Sequence, residues 1–381
     1  MALKLERRME PSRTANILVP ILSILLALAA CGVLLWIVGV NPLETYWAMV
    51  QGAFGSPYAI SETLVRAVPL MLTGLAVSVA FRMLFWNIGA EGQLAMGAFA
   101  ASGVAIFLPK AVPGISAWAL LPLMMAAGFV GGALWGLIPA VLKAFLSVNE
   151  IITSLMLNYV AILWIQYLYY GPWRDPLGFG FPGTAEFARI AWLPRLRDTE
   201  WLPQLFSTGR LHWGLLLAIV AAIVVWLIMD RTRWGYEIKI IGENPRAARY
   251  AGISIVRNVL LVMILSGGLA GLAGYVQVAG ISHRLQQGIV VGDGYTAIII
   301  AWLAQLNPFG VLIVAVLMAG LFVGGDQLQI TMGLPAAVAL VLQGAILFFV
   351  LGGNFFTQYR VRWTRKQTAV ASQQSAVNSE Q

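Results

Sequence analysis

Most charged residues in this chain fall in the gaps between apolar runs, and that segregation limits what the chain can fold into more than any other feature. Of its 381 residues, 60% are hydrophobic and 10% are charged, with a mean hydropathy of +0.81. Soluble domains carry about 25% charged residues. A chain this apolar belongs in a bilayer, where every backbone polar group must be paired internally, so each crossing is a helix of about 20 residues. The expected fold is all-α: a polytopic transmembrane helix bundle. Ten spans can be read, near 17–40, 64–82, 88–108, 118–142, 150–170, 213–229, 258–280, 294–306, 309–325 and 335–352. The two runs that meet at Asn307-Pro308 are short. Proline blocks continuation of a helix there, so they read as a tight hairpin or as a broken, re-entrant pair.

The net charge of +8 gathers in three patches: Lys4 to Arg13, Arg231 to Arg257, and Arg360 to Lys366. Patches at span ends set orientation by the positive-inside rule and imply a lipid surface, with no nucleic acid as partner. Six spans separate the first two patches and four separate the last two. Even numbers put all three in the cytoplasm. The expected organisation is therefore a cytoplasmic N-terminus (1–16), a transmembrane domain (17–352) and a cytoplasmic tail (353–381) without periodicity. Within the domain, 171–212 is an external loop rich in Pro and Trp, and 231–257 is a cytoplasmic segment. A weak internal repeat is visible, because Asn87-Ile88-Gly89 and Asn307-Pro308-Phe309-Gly310 each open an apolar run rich in small residues.

One cysteine and two histidines cannot assemble a Cys/His metal cluster, and no metal or cofactor is expected. Cys31, in Leu28-Ala29-Ala30-Cys31-Gly32, has the look of a lipoprotein cleavage box, but the apolar run continues through Val40, as in a simple spanning helix. No Gly-x4-Gly-Lys-Ser/Thr loop, His-Glu-x-x-His pair or nucleophilic triad occurs, so neither ATP hydrolysis nor another enzymatic reaction is expected of this chain.

Polar groups inside the apolar runs are costly, and they mark either a pathway or interhelical hydrogen bonds. Glu91, Gln93, Asn149, Glu150, Asn158, Gln277, Asp293 and Gln343 are the candidates. Tyr159, Tyr295 and Trp302 add aromatic faces on which a flat base can stack. Glu150, beside Asn149, also suits a helix N-terminus. A polar solute is expected to pass between Glu91 and Gln93 on one side and 293–305 on the other. Gly242, Glu243, Asn244, Pro245, Arg246, Ala248 and Arg249 belong to a second kind of site. Asn244 is a good N-cap, Pro245 suits the first helical position and Gly252 the left-handed C′ position. A short helix over 245–251 follows, with a small face at Ala247, Ala248 and Ala251.

Five stretches resemble one family in order along the chain: Asn87 to Gln93, Val148 to Tyr159, Gly242 to Ile253, Ser266 to Gly274, and Gly292-Asp293-Gly294-Tyr295 through Leu306 to Gly310. They are similar to permease subunits of ABC importers for nucleosides and simple sugars, most of all to the nucleoside branch. The resemblance implies a bacterial inner-membrane subunit paired with a second, related permease. It further implies a separate ATP-binding subunit and a substrate-binding protein or lipoprotein. The 242–252 helix would then be the coupling helix that docks on the ATPase. The chain departs from the family pattern at Ala301-Trp302-Leu303-Ala304-Gln305, where relatives carry a smaller, Gly-containing run. A proton-coupled secondary transporter, with Glu91, Glu150 and Asp293 carrying protons, is the alternative.

Overall fold

The computed structural model describes residues 2–7, 13–196, 209–335 and 337–364. Arg8, the Trp201–Pro203 part of the external loop, Arg365, Lys366 and the tail beyond Thr364 lie outside them. The chain divides into two units: residues 44–339, and residues 1–43 together with 340–381.

The second unit holds α1 (Arg13–Ile37), most of α13 (Ala337–Gln358) and a short antiparallel ladder. In that ladder β1 (Ala2–Arg7) pairs with β2 (Tyr359–Thr364), Ala2 facing Thr364 and Arg7 facing Tyr359. Cys31 is a buried free thiol within α1, as a small residue of a spanning helix would be.

The larger unit is helical: α2 (Pro42–Phe54), α3 (Pro57–Arg82), α4 (Ala90–Ala111), α5 (Ala117–Leu146) and α6 (Glu150–Tyr170). It continues with α7 (Gly214–Arg231), α8 (Arg233–Glu243), α9 (Pro245–Tyr250), α10 (Ile255–Val276), α11 (Asp293–Leu303) and α12 (Pro308–Met332). The last turns of α10 widen into a π-helix over Gln277–Ser282. Among the described residues, seven helices are long and apolar enough to cross a bilayer, or eight if α1 and α2 together make one span. That is fewer than the ten expected from hydropathy. The clearest reason is α11: its eleven residues rise about 16 Å, half the hydrocarbon thickness. The apolar run there continues to Leu306, but Gln305 and Leu306 both take left-handed backbone (φ 52° and 58°) and turn the chain back. The pair is therefore one half-helix followed by one full span, α12.

Between two predicted spans the hydropathy pattern left out α2. Its inward stripe is Thr45, Met49 and Ala53, a helical spacing carried by residues too small and mixed to register as apolar.

Glycine decides how the central helices meet. A side chain on Gly271 of α10 would strike the Gly128 carbonyl of α5, and one on Gly97 of α4 would strike Gly271. The Gly132 and Gly267 positions exclude side chains in the same way, each against the other's carbonyl. Lipid supplies no hydrophobic drive between helices, so close backbone approach of this kind supplies the packing energy. The small-residue run at 266–274 thus packs helices, and α3 and α10 become the most enclosed of the spans.

Candidate functional site

The loop between α3 and α4, residues 83–89, brings a non-helical backbone into the centre of the larger unit, and a polar network satisfies it. Asn87 and Gln93 exchange amide hydrogen bonds, Nδ2 to Oε1 and Nε2 to Oδ1, both at 3.0 Å. Asn87 also donates to the hydroxyl of Ser266 on α10, and that hydroxyl donates to the Ala76 carbonyl of α3 at 2.7 Å. Asn158 of α6 accepts from the Gly92 backbone at 2.8 Å and donates to the Ile88 carbonyl and to the Tyr295 hydroxyl. Three helices, α3, α6 and α10, are thus tied to the start of α4 through the buried side chains of Asn87, Gln93, Asn158 and Ser266.

Glu91 makes the fourth tie. Its carboxylate accepts from the backbone N–H of Gly292 at 2.6 Å and of Gly294 at 2.5 Å, which caps the amino end of α11. The first N–H groups of a helix have no partner within it and carry partial positive charge, so a carboxylate is the natural cap. Gly294 is required there, because a Cβ at that position would run into the backbone of Glu91. Beside this cap Asp293 takes a bidentate pair of bonds from Arg66 of α3, at 2.9 and 3.5 Å. Glu91 is 1% exposed and Asp293 likewise 1%, so the two carboxylates share one buried seam between α3, α4 and α11, with Arg66 half-buried at its edge.

At the far end of α3, sixteen residues and about 24 Å along the helix from Arg66, Arg82 makes a second junction. It donates to the Leu306 carbonyl at 3.0 and 3.3 Å and to Asp230 of α7 at 3.0 Å. Left-handed backbone at non-glycine residues costs about 1–2 kcal/mol each, and the guanidinium holds the Gln305–Leu306 turn in that state. Phe81, Trp86 and Trp302 cluster beside it, with ring centroids 5.1–6.1 Å apart. A cleft of about 450 Å³ opens here, walled by the end of α3, the Gln305–Leu306 turn and α8.

α8 and α9 follow α7 at this same end. Asn244 caps α9 by accepting from Arg246 and Ala247 N–H groups at 3.0 and 3.2 Å. Pro245 is the first helical residue, and Gly252 takes φ +76° while Ile253 N–H returns to the Ala248 carbonyl. Arg246, Ala247, Arg249 and Ala251 are exposed, and Tyr250 is 94% exposed. Ala248 alone turns inward and is fully buried.

A family model described as the permease component of branched-chain amino acid transport systems matches residues 59–351. The chain belongs to that permease family. Over 367 residues the permease is 39% identical to the "Glucose ABC transporter permease protein TsgB13" of Haloferax volcanii, covering 94% of each chain. It is 34% identical to the "Guanosine ABC transporter permease protein NupP" of Bacillus subtilis, covering 89% of this chain and 94% of that one. With the "Nucleoside ABC transporter permease protein NupB" of Lactococcus lactis it shares 31% identity, over 89% and 92% of the two chains.

Of the residues singled out in the sequence, the permease brings Glu91, Gln93, Asn158, Asp293 and Tyr295 together in the seam. The Gln343 side chain lies outside the described residues, and the remaining candidates do not join the seam. Asn149 caps α6, accepting from Ile151 and Ile152, and Glu150 pairs with Lys143 at 2.7 Å. Tyr159 points outward and is exposed, and Trp302 sits in the aromatic cluster. Gln277 lies in the π-turn, away from the seam's hydrogen bonds. Sequence reasoning did not single out Arg66, Arg82 or Ser266. A signal existed for the two arginines, since each is a lone charge at an edge of the 64–82 apolar run; Ser266 in a small-residue run offers none.

Proposed function

We propose that this permease forms the membrane pathway of an ATP-binding-cassette importer for a neutral, hydroxyl-rich solute, a nucleoside or a simple sugar. ATP hydrolysis occurs in a separate subunit that docks on α8 and α9. A second, related permease completes the pathway, and a substrate-binding protein or lipoprotein delivers the solute. The chain resides in the bacterial inner membrane with both termini and 231–257 in the cytoplasm and 171–212 outside. The observation that carries the reading is α9: a helix of six residues, capped at both ends, that buries only Ala248 and presents Arg246, Arg249 and Tyr250 to a partner. A secondary transporter has no use for such a presented helix. The names of the relatives, glucose and guanosine permeases, support the solute class.

The seam between α4 and α11 is the proposed route. In this conformation Glu91 closes it, and solute passes when α11 withdraws. The test is uptake of radiolabelled guanosine and glucose into cells expressing the complete importer. Uptake that depends on ATP and on the ATP-binding subunit is expected. Uptake that follows the proton gradient and persists without ATP overturns the reading in favour of the proton-coupled alternative.

A further inference from the structure

A second cleft, of about 440 Å³, lies at the end of the larger unit opposite α8 and α9. Arg66 and Glu62 from the first turns of α3 border it, Asp326 and Gln327 come from the last turns of α12, and Gln277 comes from the π-turn. Arg210, near the end of the long loop, joins it through a bidentate pair with Glu62 at 2.5 and 3.1 Å. Tyr58 adds an exposed aromatic ring at the rim.

Most of the charges here are already paired. Glu62 is held by Arg210 and Arg66 by Asp293, while Phe322 lies 5.4 Å from the Arg66 guanidinium. A fully charged ligand would have to break those pairs, whereas a hydroxylated neutral one has only to add bonds to their free edges. One group has an unmet need: Gln277 lines the wall at 6% exposure, and its Oε1 is buried without any hydrogen-bond partner. An orphaned buried acceptor is costly unless a partner meets it, and π-turns recur at functional sites. Amide, carboxylate and guanidinium groups beside an aromatic ring provide donors and acceptors at once, which is what adjacent hydroxyls on a sugar ring need.

We infer that this cleft binds a vicinal diol, the shared chemistry of a pyranose and of the ribose of a nucleoside, with the Gln277 amide turning into the cleft so that its Oε1 accepts from one hydroxyl while Asp326 accepts from another. The inference rests on the proposed function for its solute class. Because Arg66 ties the cleft floor to Asp293 at the start of α11, a bound solute sits one side chain from the seam.

The test is a titration of the purified full-length permease in lipid nanodiscs with D-glucose and, separately, with guanosine, read by tryptophan fluorescence. No ATP or partner subunit is added. Saturable binding of at least one probe is expected. Gln277→Met, which keeps the size and removes the acceptor, and Asp326→Asn should each weaken it about tenfold. Binding of glucose alone assigns the site to free sugars, and binding of guanosine alone to nucleosides. If Gln277→Met fails to fold, the exposed Asp326 still decides. Absence of saturable binding of both probes, or unchanged affinity in the variants that fold, overturns the assignment. Since the titration needs no transport, a cleft that does not bind while ATP-driven uptake persists removes this inference and leaves the importer standing.

Discussion

The carboxylate of Glu91 caps α11 through the backbone of Gly294, although the two residues are separated by 203 positions in the chain. Removing the carboxylate leaves the buried Gly294 N–H and the part-buried Gly292 N–H without an acceptor. Glu91→Ala should lower stability by about 2–4 kcal/mol, whereas Glu91→Gln, which keeps one acceptor oxygen, should lose about half as much. Melting of the purified permease checks the order. Uptake should follow the same order, and equal loss of uptake in both variants at matched expression would favour a titrating role.

The exposed face of α9 separates docking from folding. Ala247→Glu should leave the melting temperature unchanged and abolish co-purification of the ATP-binding subunit or uncouple its hydrolysis from uptake. Ala248→Glu, at a position with no exposure, buries a charge and should destabilise the permease itself by more than about 3 kcal/mol. Pull-down yields compared with melting curves distinguish the two. Normal co-purification and normal coupled uptake in Ala247→Glu would remove α9 from the docking surface.

Backbone contact between α4, α5 and α10 leaves no room for a side chain. Gly271→Val should prevent a folded permease from accumulating, while Gly344→Val, where a Cβ meets nothing within 4 Å, should be tolerated. Fluorescence size-exclusion profiles of tagged variants in detergent provide the comparison.

His212 supplies a pH dependence. Burial, with His283 and Arg195 nearby, pushes its pKa down from 6.5 to about 4. Its Nδ1 accepts from Gly214 N–H at 3.1 Å. The unfolded state binds the proton more tightly, so stability is complete above pH 6.5, falls as pH drops towards about 4 and levels off below. The loss should amount to about 3 kcal/mol. His212→Asn, which removes the titration, should flatten the melting temperature across that window; an unchanged slope would assign the effect to other groups.

Topology is checked by single cysteines in a Cys31→Ala background. A cysteine at Ser207, which lies outside the described residues, should react with an impermeant maleimide from outside the cell. One at Ser254 should react only after permeabilisation. Labelling of both from one side overturns the proposed orientation.

What the sequence made legible was local. Asn244, Pro245 and Gly252 act through bonds a few residues long, so α9 was readable from its caps. Polar residues in apolar runs were also conspicuous, and four of them, Glu91, Gln93, Asn158 and Asp293, do meet at the seam, where Tyr295, read as a stacking face, joins through its hydroxyl. Their partners were not readable, because Glu91 bonds backbone amides, which every residue possesses, and Asn158 reaches across 70 and 137 positions to Ile88 and Tyr295. Hydropathy likewise measured how far an apolar run extends and missed where the backbone turns. Gln305 and Leu306 end α11 with dihedral angles that their side chains do not announce. Trp302 read as a stacking platform, yet the fold spends it on Phe81 and Trp86.

α11 is gripped at both ends. Glu91 holds its amino end, and Arg82, through Leu306, holds the turn at its carboxyl end, with Asp230 and α8 immediately beyond. A helix of eleven residues is too short to bend appreciably, so its two ends are rigidly linked. Under the proposed route, a displacement of α8 that reaches Arg82 would be passed along α11, about 16 Å, to the Glu91 cap at its other end.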